Sequence, residues 1–351
     1  MVTLIEDFFL LVQSSEDQFQ GNLISSAVCV YCGGEDSQVL YDTVSTSGDK
    51  FTVNKCLNCR ACFLAPNPTR QQLDAAYDDS YYGCRTDTKF PDWIEKVLDR
   101  FRSQRAGTIM KYVTLPANVL DIGCGNGRFL QELIRKNYNA YGIELPSKSA
   151  ERASQIPGLK LKIGKLCEGD YEENFFDAVT LWHVIEHLSE PKKTLQIIEK
   201  ILKPGGYLVI SLPNIDSIQS RLFRGRWLHL DPPRHLFFFT ASELTKIMQT
   251  FGFERVAIKY FSLEQNPFGM QQSLLNCMLR KREVLFEALK GNEAYTSDYS
   301  EVSIFLQKIF YITTFPFFAL LSLIEAWLRK GGTMEIIFEK VRRQEDLNDR
   351  F

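Results

Sequence analysis

The segment that most constrains the fold carries three glycines at alternate positions, Gly123, Gly125 and Gly127. An apolar run over 112–122 precedes them, and a helical pattern begins at Phe129. This order predicts a strand, a tight turn and a helix. Glycine allows positive φ and a close approach to a ligand, and the N–H groups that begin the next helix have no partner within it. The segment therefore predicts a turn that binds a nucleotide-like cofactor.

Strand and helix patterns alternate after the turn. The acidic residue Glu144 ends the second strand, seventeen residues beyond Gly127. A carboxylate at that position can accept hydrogen bonds from both hydroxyls of a ribose. The alternation predicts a parallel sheet with helices on both faces. The strands expected after the first are at 140–144, 159–163, 176–182, 207–212 and 255–261.

Two Cys-x-x-Cys pairs near the N-terminus form the second motif. The four cysteines are Cys29, Cys32, Cys56 and Cys59. Short strands are expected between the pairs, at 38–41 and 50–53, and two such pairs can supply four thiolates to one tetrahedral Zn²⁺. A closed set of four ligands is typical of a structural metal, so the pattern predicts a zinc ribbon. Cys62 is the alternative ligand that the spacing leaves open.

Composition limits the class of protein. The chain has 351 residues, 45% hydrophobic and 24% charged, which is typical of a globular protein with more than one domain. A net charge of −2 argues against a dedicated nucleic-acid binder. The first apolar run is short and contains Glu6 and Asp7, so we expect no signal peptide. The nine cysteines then indicate a reducing, cytoplasmic setting in which the paired thiols bind metal.

The order of these motifs resembles that of the class I S-adenosylmethionine-dependent methyltransferases. The matching segments are 121–127, Glu144, 176–179 and 202–206. The resemblance implies that the glycine turn wraps the methionine part of S-adenosylmethionine, that Glu144 holds its ribose and that Lys165 and Leu166 lie along its adenine. The glycine-to-acid spacing also fits a nicotinamide dehydrogenase, but lysine-proline-glycine-glycine at 203–206 is typical of the methyltransferases. The candidate cofactor contacts are Asp121, Gly123, Gly125, Gly127, Glu144, Lys165 and Leu166.

The segment 186–188 with Pro191 resembles a subgroup that includes ubiquinone-pathway O-methyltransferases and bacterial polysaccharide or small-molecule methyltransferases. Some of its members carry an N-terminal zinc ribbon. The family's sheet closes with an antiparallel seventh strand, a role that the alternating segment 333–340 fits. The expected fold is α/β, a Rossmann-like seven-stranded sheet with an antiparallel last strand, a zinc ribbon and a helical insertion between strands six and seven. The expected divisions are 1–64 with the ribbon at 29–59, a linker and helix at 65–105, a methyltransferase domain at 106–262 plus 331–343, and the insertion at 263–330.

Two of the four histidines are the candidate catalytic residues. Methylation of a hydroxyl requires a base near pH 7. His187 follows the fourth strand, at the sheet edge where the site is expected to open, and His235 lies in a proline-containing segment that would cover the acceptor. His183, Glu186 and His187 also match an inverted zinc-protease signature. We reject that reading within an otherwise complete methyltransferase order, and a divalent ion at Glu186 and His187 stays a minor alternative.

The segment 309–324 contains no charged residue. It is shorter than the roughly twenty residues of a spanning helix, and Lys308 and Trp327 beside it suit peripheral contact with a membrane through 309–328. A buried helical hairpin explains it equally well. Contact would favour a lipid-linked sugar as the acceptor and the cytoplasmic membrane face as the location.

The sequence thus predicts a methyltransferase that uses S-adenosylmethionine and carries structural zinc. O-methylation of a sugar, glycolipid-type or other hydroxylated small molecule is the favoured reaction, and no nucleic-acid partner is expected. C- or N-methylation of a similar acceptor is the first alternative. A non-catalytic zinc-ribbon binding protein on the same fold is the second.

Overall fold

The computed structural model describes residues 24–25, 27–77 and 92–341, with side chains over 27–77 and 99–341. The parts of the expected divisions at 1–23, 26, 78–91 and 342–343 lie outside the described residues. The described chain forms a five-stranded and a seven-stranded sheet. The candidate site residues lie mainly at one edge of the larger sheet.

The smaller sheet contains the segment predicted as a zinc ribbon. Its strands, in spatial order, are β1 (Ile24–Ser25), β2 (Ser37–Val44), β3 (Lys50–Cys56), β4 (Cys62–Ala65) and β10 (Phe237–Phe238), all antiparallel to their neighbours. Strand β10 comes from much later in the chain and pairs with β4, where Phe237 is opposite Phe63. The ribbon is therefore joined to the rest of the protein by a strand pairing that the local pattern did not predict.

The larger sheet confirms the predicted Rossmann-like fold. Its strands, in chain order, are β5 (Asn118–Ile122), β6 (Asn139–Glu144), β7 (Lys160–Ile163), β8 (Phe176–Trp182), β9 (Leu202–Pro213), β11 (Phe253–Lys259) and β12 (Thr333–Lys340). The spatial order is β11-β12-β9-β8-β5-β6-β7. Strands β5 to β9 are parallel to one another, and β12 runs antiparallel to both β9 and β11. The last strand thus has the expected direction.

The expected break at 203–206 lies inside β9. The preceding helix ends at Ile201 and β9 begins at Leu202, opposite Phe176. The register then shifts before Ala178, and Gly205 has a φ of 78°. The lysine-proline-glycine-glycine segment is therefore an irregularity at the start of the strand rather than a loop before it.

Helices cover the sheets and fill the segment between β11 and β12. They are α1 (Arg70–Ala76), α2 (Asp92–Tyr112), α3 (Arg128–Arg135), α4 (Lys148–Ser154), α5 (Pro191–Ile201), α6 (Ile218–Phe223), α7 (Ala241–Thr250), α8 (Asn266–Met278), α9 (Val284–Lys290), α10 (Glu293–Thr296) and α11 (Glu301–Trp327). Short 3₁₀ turns occur at Ile185–His187, Arg224–Arg226 and Leu228–Leu230. The helices α8 to α11 form the predicted helical insertion.

Arg282 connects this insertion to the ribbon. Its guanidinium donates hydrogen bonds to Thr43 Oγ1 (2.9 Å) and Val44 O (3.0 Å), both at the end of β2, and to Gly225 O and Trp227 O (both 2.9 Å). The side chain is buried. Because a buried guanidinium is costly unless its donors find acceptors, this geometry fixes three segments in one arrangement.

We expect Arg282→Met to lower the free energy of unfolding by about 3 kcal/mol, since it removes the buried donors and leaves the Glu283 carboxylate, 3.6 Å away, less compensated. Arg280→Met is the matched control, because Arg280 is exposed two residues earlier; a change within about 0.5 kcal/mol is expected there. Urea unfolding of both variants measures the difference. Equal losses would contradict the connecting role of Arg282.

Candidate active site

The glycine turn after β5 has the backbone conformation that its sequence predicts. Gly123, Gly125 and Gly127 have φ of 72°, 56° and 71°. A Cβ atom on Gly123 would lie 2.5 Å from Val184 Cγ2, and one on Gly127 would lie 2.8 Å from Ile156 Cδ1. A Cβ on Gly125 would meet nothing within 4 Å. Two of the glycines are thus required by packing, and the third borders open space that a ligand can enter.

The two candidate acids take different positions beside this turn. Glu144, at the end of β6, accepts hydrogen bonds from the N–H groups of Gly125 (2.6 Å) and Leu145 (3.0 Å). Asp121 is buried in β5 and accepts a hydrogen bond from Thr180 Oγ1 (2.6 Å). Burial raises the pKa of Asp121 to about 7. Glu144 therefore lies against the open part of the turn, whereas Asp121 is buried in the strand that precedes the turn.

The segment after β7 completes the cofactor side. The N–H of Gly164 donates to Glu144 O (2.8 Å), which brings Lys165 and Leu166 next to the acid. Lys165 is exposed and Leu166 is half-buried. An open glycine cradle, an adjacent carboxylate and a neighbouring apolar side chain fit a ligand with a ribose and an adenine.

A cavity of about 290 Å³ lies at the carboxyl ends of β8 and β9. Trp182, His183 and Ser211 line it from the sheet. Arg105 enters from α2, with its guanidinium carbon 5.2 Å from the centre of the Trp182 ring, and forms an ion pair with Glu264 at 2.6 Å. The wall therefore combines an aromatic face with charged donors and acceptors.

Trp182 links the cavity to the glycine turn. Its ring meets the edge of Phe129, in the first turn of α3, at 5.7 Å between centroids. Val184, two residues later, contacts Gly123. The cavity is thus adjacent to the cofactor side, as an acceptor pocket must be.

His183 is the histidine that lines this cavity. It has a φ of 54°, in the left-handed region. Its Nε2 lies 3.2 Å from Ser211 Oγ, and its Nδ1 lies 3.4 Å from Glu186 Oε1. Burial, assisted by Arg105, lowers the pKa of His183 to about 4, so the ring is neutral at pH 7. Sequence reasoning missed this role, although the position directly after β8 was a signal for it.

The two sequence-predicted histidines lie together elsewhere. The ring centroids of His187 and His235 are 4.5 Å apart. His187 Nδ1 lies 2.8 Å from Tyr77 Oη and 3.0 Å from Arg234 O, and His235 Nδ1 lies 2.8 Å from His229 O. Among the described residues that line the cavity, neither ring is present. Their nitrogens instead tie the segment around 229–235 to the end of β8.

These two rings and Glu186 could hold a divalent cation. One ligand atom from each of Glu186, His187 and His235 lies within 4.8 Å of the others. Glu186 is buried, and neither carboxylate oxygen makes a hydrogen bond within the described chain. The cluster therefore matches the minor alternative indicated by the sequence, with His235 as a third ligand.

The four paired cysteines converge at the base of the ribbon. Cys29 Sγ lies 3.7 Å from Cys59 Sγ, and Cys32 Sγ lies 3.5 Å from Cys56 Sγ. All four sulfurs lie within 4.8 Å of one another. Tetrahedral zinc with Zn–S bonds of about 2.3 Å separates its sulfurs by roughly 3.8 Å. The N–H of Gly34 donates to Cys32 Sγ (3.4 Å), as expected for a thiolate on a tight turn.

Cys62 is outside this group of four sulfurs. It is buried in β4, opposite Phe238 of β10, and belongs to an apolar cluster with Leu64 and Trp227. Burial raises the pKa of Cys62 to about 12, which disfavours a thiolate. Its position is that of a packed core thiol.

Comparison with known proteins gives the same assignment as the geometry. A family model described as a methyltransferase domain matches residues 86–258. The chain belongs to the class I S-adenosylmethionine-dependent methyltransferases. It is therefore an enzyme that uses S-adenosylmethionine, and its likeness to ubiquinone-pathway O-methyltransferases is confirmed.

The similar proteins match only part of this methyltransferase, at identities below 30%. A ubiquinone biosynthesis O-methyltransferase from Idiomarina loihiensis is 26% identical over 185 residues, 48% of this chain and 75% of the relative. One from Vibrio cholerae is 29% identical over 178 residues, 45% and 71% respectively, and one from Alkalilimnicola ehrlichii is 28% identical over 103 residues, 27% and 41%. A methyltransferase structure from Archaeoglobus fulgidus is 19% identical, with a TM-score of 0.41 over 69% of this chain and 94% of the other.

We expect Gly125→Ala to weaken binding of S-adenosylhomocysteine roughly tenfold or more, because the added methyl group enters the open cradle. Gly252→Ala is the matched control: Gly252 also has a positive φ (77°) and open space around it, but it precedes β11 at the opposite edge of the sheet. Each substitution should cost about 1 kcal/mol of stability. Calorimetric titration of both variants checks the expectation, which equal affinities would refute.

Proposed function

We propose that this methyltransferase methylates a hydroxyl group of a small acceptor bound in the cavity at the ends of β8 and β9. The observation that carries the proposal is the neutral His183 ring in the cavity wall, backed by the buried Glu186. A hydroxyl must lose its proton as it is methylated, and a neutral imidazole in the cavity wall can accept that proton, which supports O-methylation.

The lining of the cavity favours a sugar or another hydroxylated ring as the acceptor. Two ion pairs border it, Arg105 with Glu264 at 2.6 Å and Lys259 with Glu335 at 2.7 Å. They supply both donors and acceptors for ring hydroxyls, and the Trp182 ring offers an apolar face. A volume of about 290 Å³ is at the low end of the roughly 300–1,000 Å³ typical of ligand pockets, which suits a single ring.

The residues around the cavity perform the transfer mainly by positioning. Bound S-adenosylmethionine would supply an electrophilic methyl group on its sulfonium, and loss of the S–CH₃ bond would leave S-adenosylhomocysteine. The glycine turn and Glu144 hold the cofactor side, and the cavity holds the acceptor hydroxyl. As the new C–O bond forms, His183 Nε2 takes the hydroxyl proton. Glu186, beside Nδ1, stabilises the positive charge that the ring then carries.

His187 and His235, the sequence-based candidates, are assigned a supporting role. Their contacts with Arg234 O and His229 O hold the segment that follows the 3₁₀ turns. Loss of either ring would then loosen that segment without removing the base or any residue that lines the cavity.

We expect His183→Gln to lower the rate of methyl transfer about 10²–10⁴-fold and to leave S-adenosylhomocysteine affinity unchanged. His187→Gln is the matched control and should retain most of the rate. Because only the neutral ring accepts a proton, the wild-type rate should fall as pH falls through the His183 pKa of about 4 and should stay flat above it. Labelled S-adenosylmethionine with a panel of free and nucleotide-linked sugars provides the assay. A larger loss in His187→Gln would overturn the assignment.

We also propose a structural zinc ion at Cys29, Cys32, Cys56 and Cys59. The sulfur separations support it, because they match a tetrahedral site. Thiolates of this kind are held together by the metal, so the ion would stabilise the ribbon and, through the β4–β10 pairing, its junction with the methyltransferase domain.

Protein purified without chelator should contain about one zinc per chain. Cys29→Ser should lower that content and the thermal midpoint, since three ligands bind less tightly than four. Cys62→Ser should retain full zinc, because that thiol lies outside the four-sulfur group. Elemental analysis of the three proteins decides the matter. Absence of metal from the wild type, or its loss only with Cys62→Ser, would refute the site.

A lipid-linked acceptor is the last part of the proposal. The apolar segment 309–328 suits peripheral contact with the cytoplasmic face of a membrane. A sugar carried on a lipid would then be presented to the enzyme at that surface.

A further inference from the structure

Helix α11 has the reverse of the usual polarity of a surface helix. It is long and apolar enough to cross a membrane, and 17% of its most apolar window is buried. Its exposed large apolar side chains have exposed fractions between 41% and 81%. They are Val302, Phe305, Leu306, Ile309, Ile312, Phe317, Leu320, Leu323 and Trp327. We call this set the outer face of α11; it extends over a helix about 40 Å long.

Three polar residues of the same helix point inward. Gln307, Ser322 and Glu325 are buried. Glu325 accepts a hydrogen bond from Gln219 Nε2 (2.8 Å), and burial raises its pKa to about 8. Apolar side chains on a water-exposed helix normally face the core. An inverted pattern indicates that the outer face is not meant to be in water.

The helix lies along the domain and does not leave it. Near its start, the N–H of Lys281 donates to Tyr299 Oη (2.9 Å). In its middle, Phe318 belongs to an apolar cluster with Trp227. After its end, Lys330 forms an ion pair with Asp216. Both ends are therefore held on one side, which excludes a spanning orientation for this arrangement.

Charge around the outer face selects the partner. Within α11, Lys308 is the exposed charged residue between Glu301 and Trp327, and exposed Arg329 follows the helix. Trp327 is 81% exposed beside it. Tryptophan with flanking basic residues is typical of helices that lie in the headgroup region of a membrane. A basic and aromatic border complements anionic lipid.

We propose that the outer face of α11 lies in the surface of an anionic lipid bilayer, with the helix axis parallel to the membrane. The large apolar side chains enter the boundary between headgroups and acyl chains, while Lys308 and Arg329 contact lipid phosphates. A second copy of the chain is the competing occupant of such a face.

This placement also brings the proposed acceptor cavity to the membrane, a consequence that rests on the proposed function. Gly331 packs against Tyr260 O so closely that a Cβ would lie 1.8 Å from it. The next residues, Phe261 and Leu263, line the cavity and are each 38% exposed. The end of α11 is therefore beside the cavity rim, where a lipid-linked sugar could enter.

Vesicle sedimentation tests the proposal without substrate or turnover. The full chain should bind vesicles of mixed phosphatidylglycerol and phosphatidylcholine more tightly than vesicles of phosphatidylcholine alone. Added salt should reduce this difference in affinity, because it screens the attraction between basic residues and anionic lipid. Replacing Ile312, Phe317 and Leu320 by serine should lower binding roughly tenfold or more. The matched control replaces three exposed apolar residues elsewhere, Met110, Leu115 and Val256, by serine and should bind like the wild type.

Two further readouts make the outcome decisive. Wild-type tryptophan emission should shift to the blue on vesicles, and Trp327→Phe should abolish the shift. The triple variant should retain S-adenosylhomocysteine affinity, which shows that it is folded. Failure of the wild type to bind vesicles would overturn the proposal, and so would a dimer in sedimentation velocity that only the α11 variant dissociates. Vesicle binding without any methyl transfer would instead count against the proposed function alone.

Discussion

The direction of β12 determines at which edge of the sheet the insertion of α8 to α11 lies. This strand enters the sheet between β9 and β11 and runs antiparallel to both, with Met334 opposite Leu212. Its first residue must therefore lie at the carboxyl edge of the parallel strands, where β5, β6 and β8 end. Strand β11 is parallel to β9 and ends at the same edge, so the chain leaves β11 there and must return there before β12 begins. The insertion of α8 to α11 is consequently held over the cofactor and acceptor side.

The ribbon depends on the same insertion. Its sheet is completed by β10, and Arg282, between α8 and α9, hydrogen-bonds to Thr43 and Val44 of the ribbon hairpin. The ribbon is thus joined to the methyltransferase domain and to the insertion by direct contacts. A metal that stabilises the cysteine turns would act on the whole arrangement, because the strand pairing and the buried guanidinium transmit any displacement to the insertion.

Local patterns predicted the sheet and the conformation of the glycine turn, since the signals for both are local. Positive φ at Gly125, an acid at the end of β6 and paired cysteines each follow from a few adjacent residues. Which histidine lines the cavity is not a local property of the sequence. His183 has an unusual left-handed φ that is set by Val184 packing on Gly123 and by Ser211 of β9. Such a conformation depends on contacts between residues far apart in sequence, so it cannot be predicted from the local spacing of apolar residues.

The orientation of helix α11 also depends on contacts between residues far apart in sequence. Hydropathy identified an apolar segment but could not tell which face was exposed. That depends on Gln219 of α6, which places Glu325 inward through a buried hydrogen bond. Because an uncompensated carboxyl group cannot be buried cheaply, this bond fixes the rotation of the helix end and turns Trp327 outward. The polar contacts of the interior thus decide which apolar residues are left for a lipid surface.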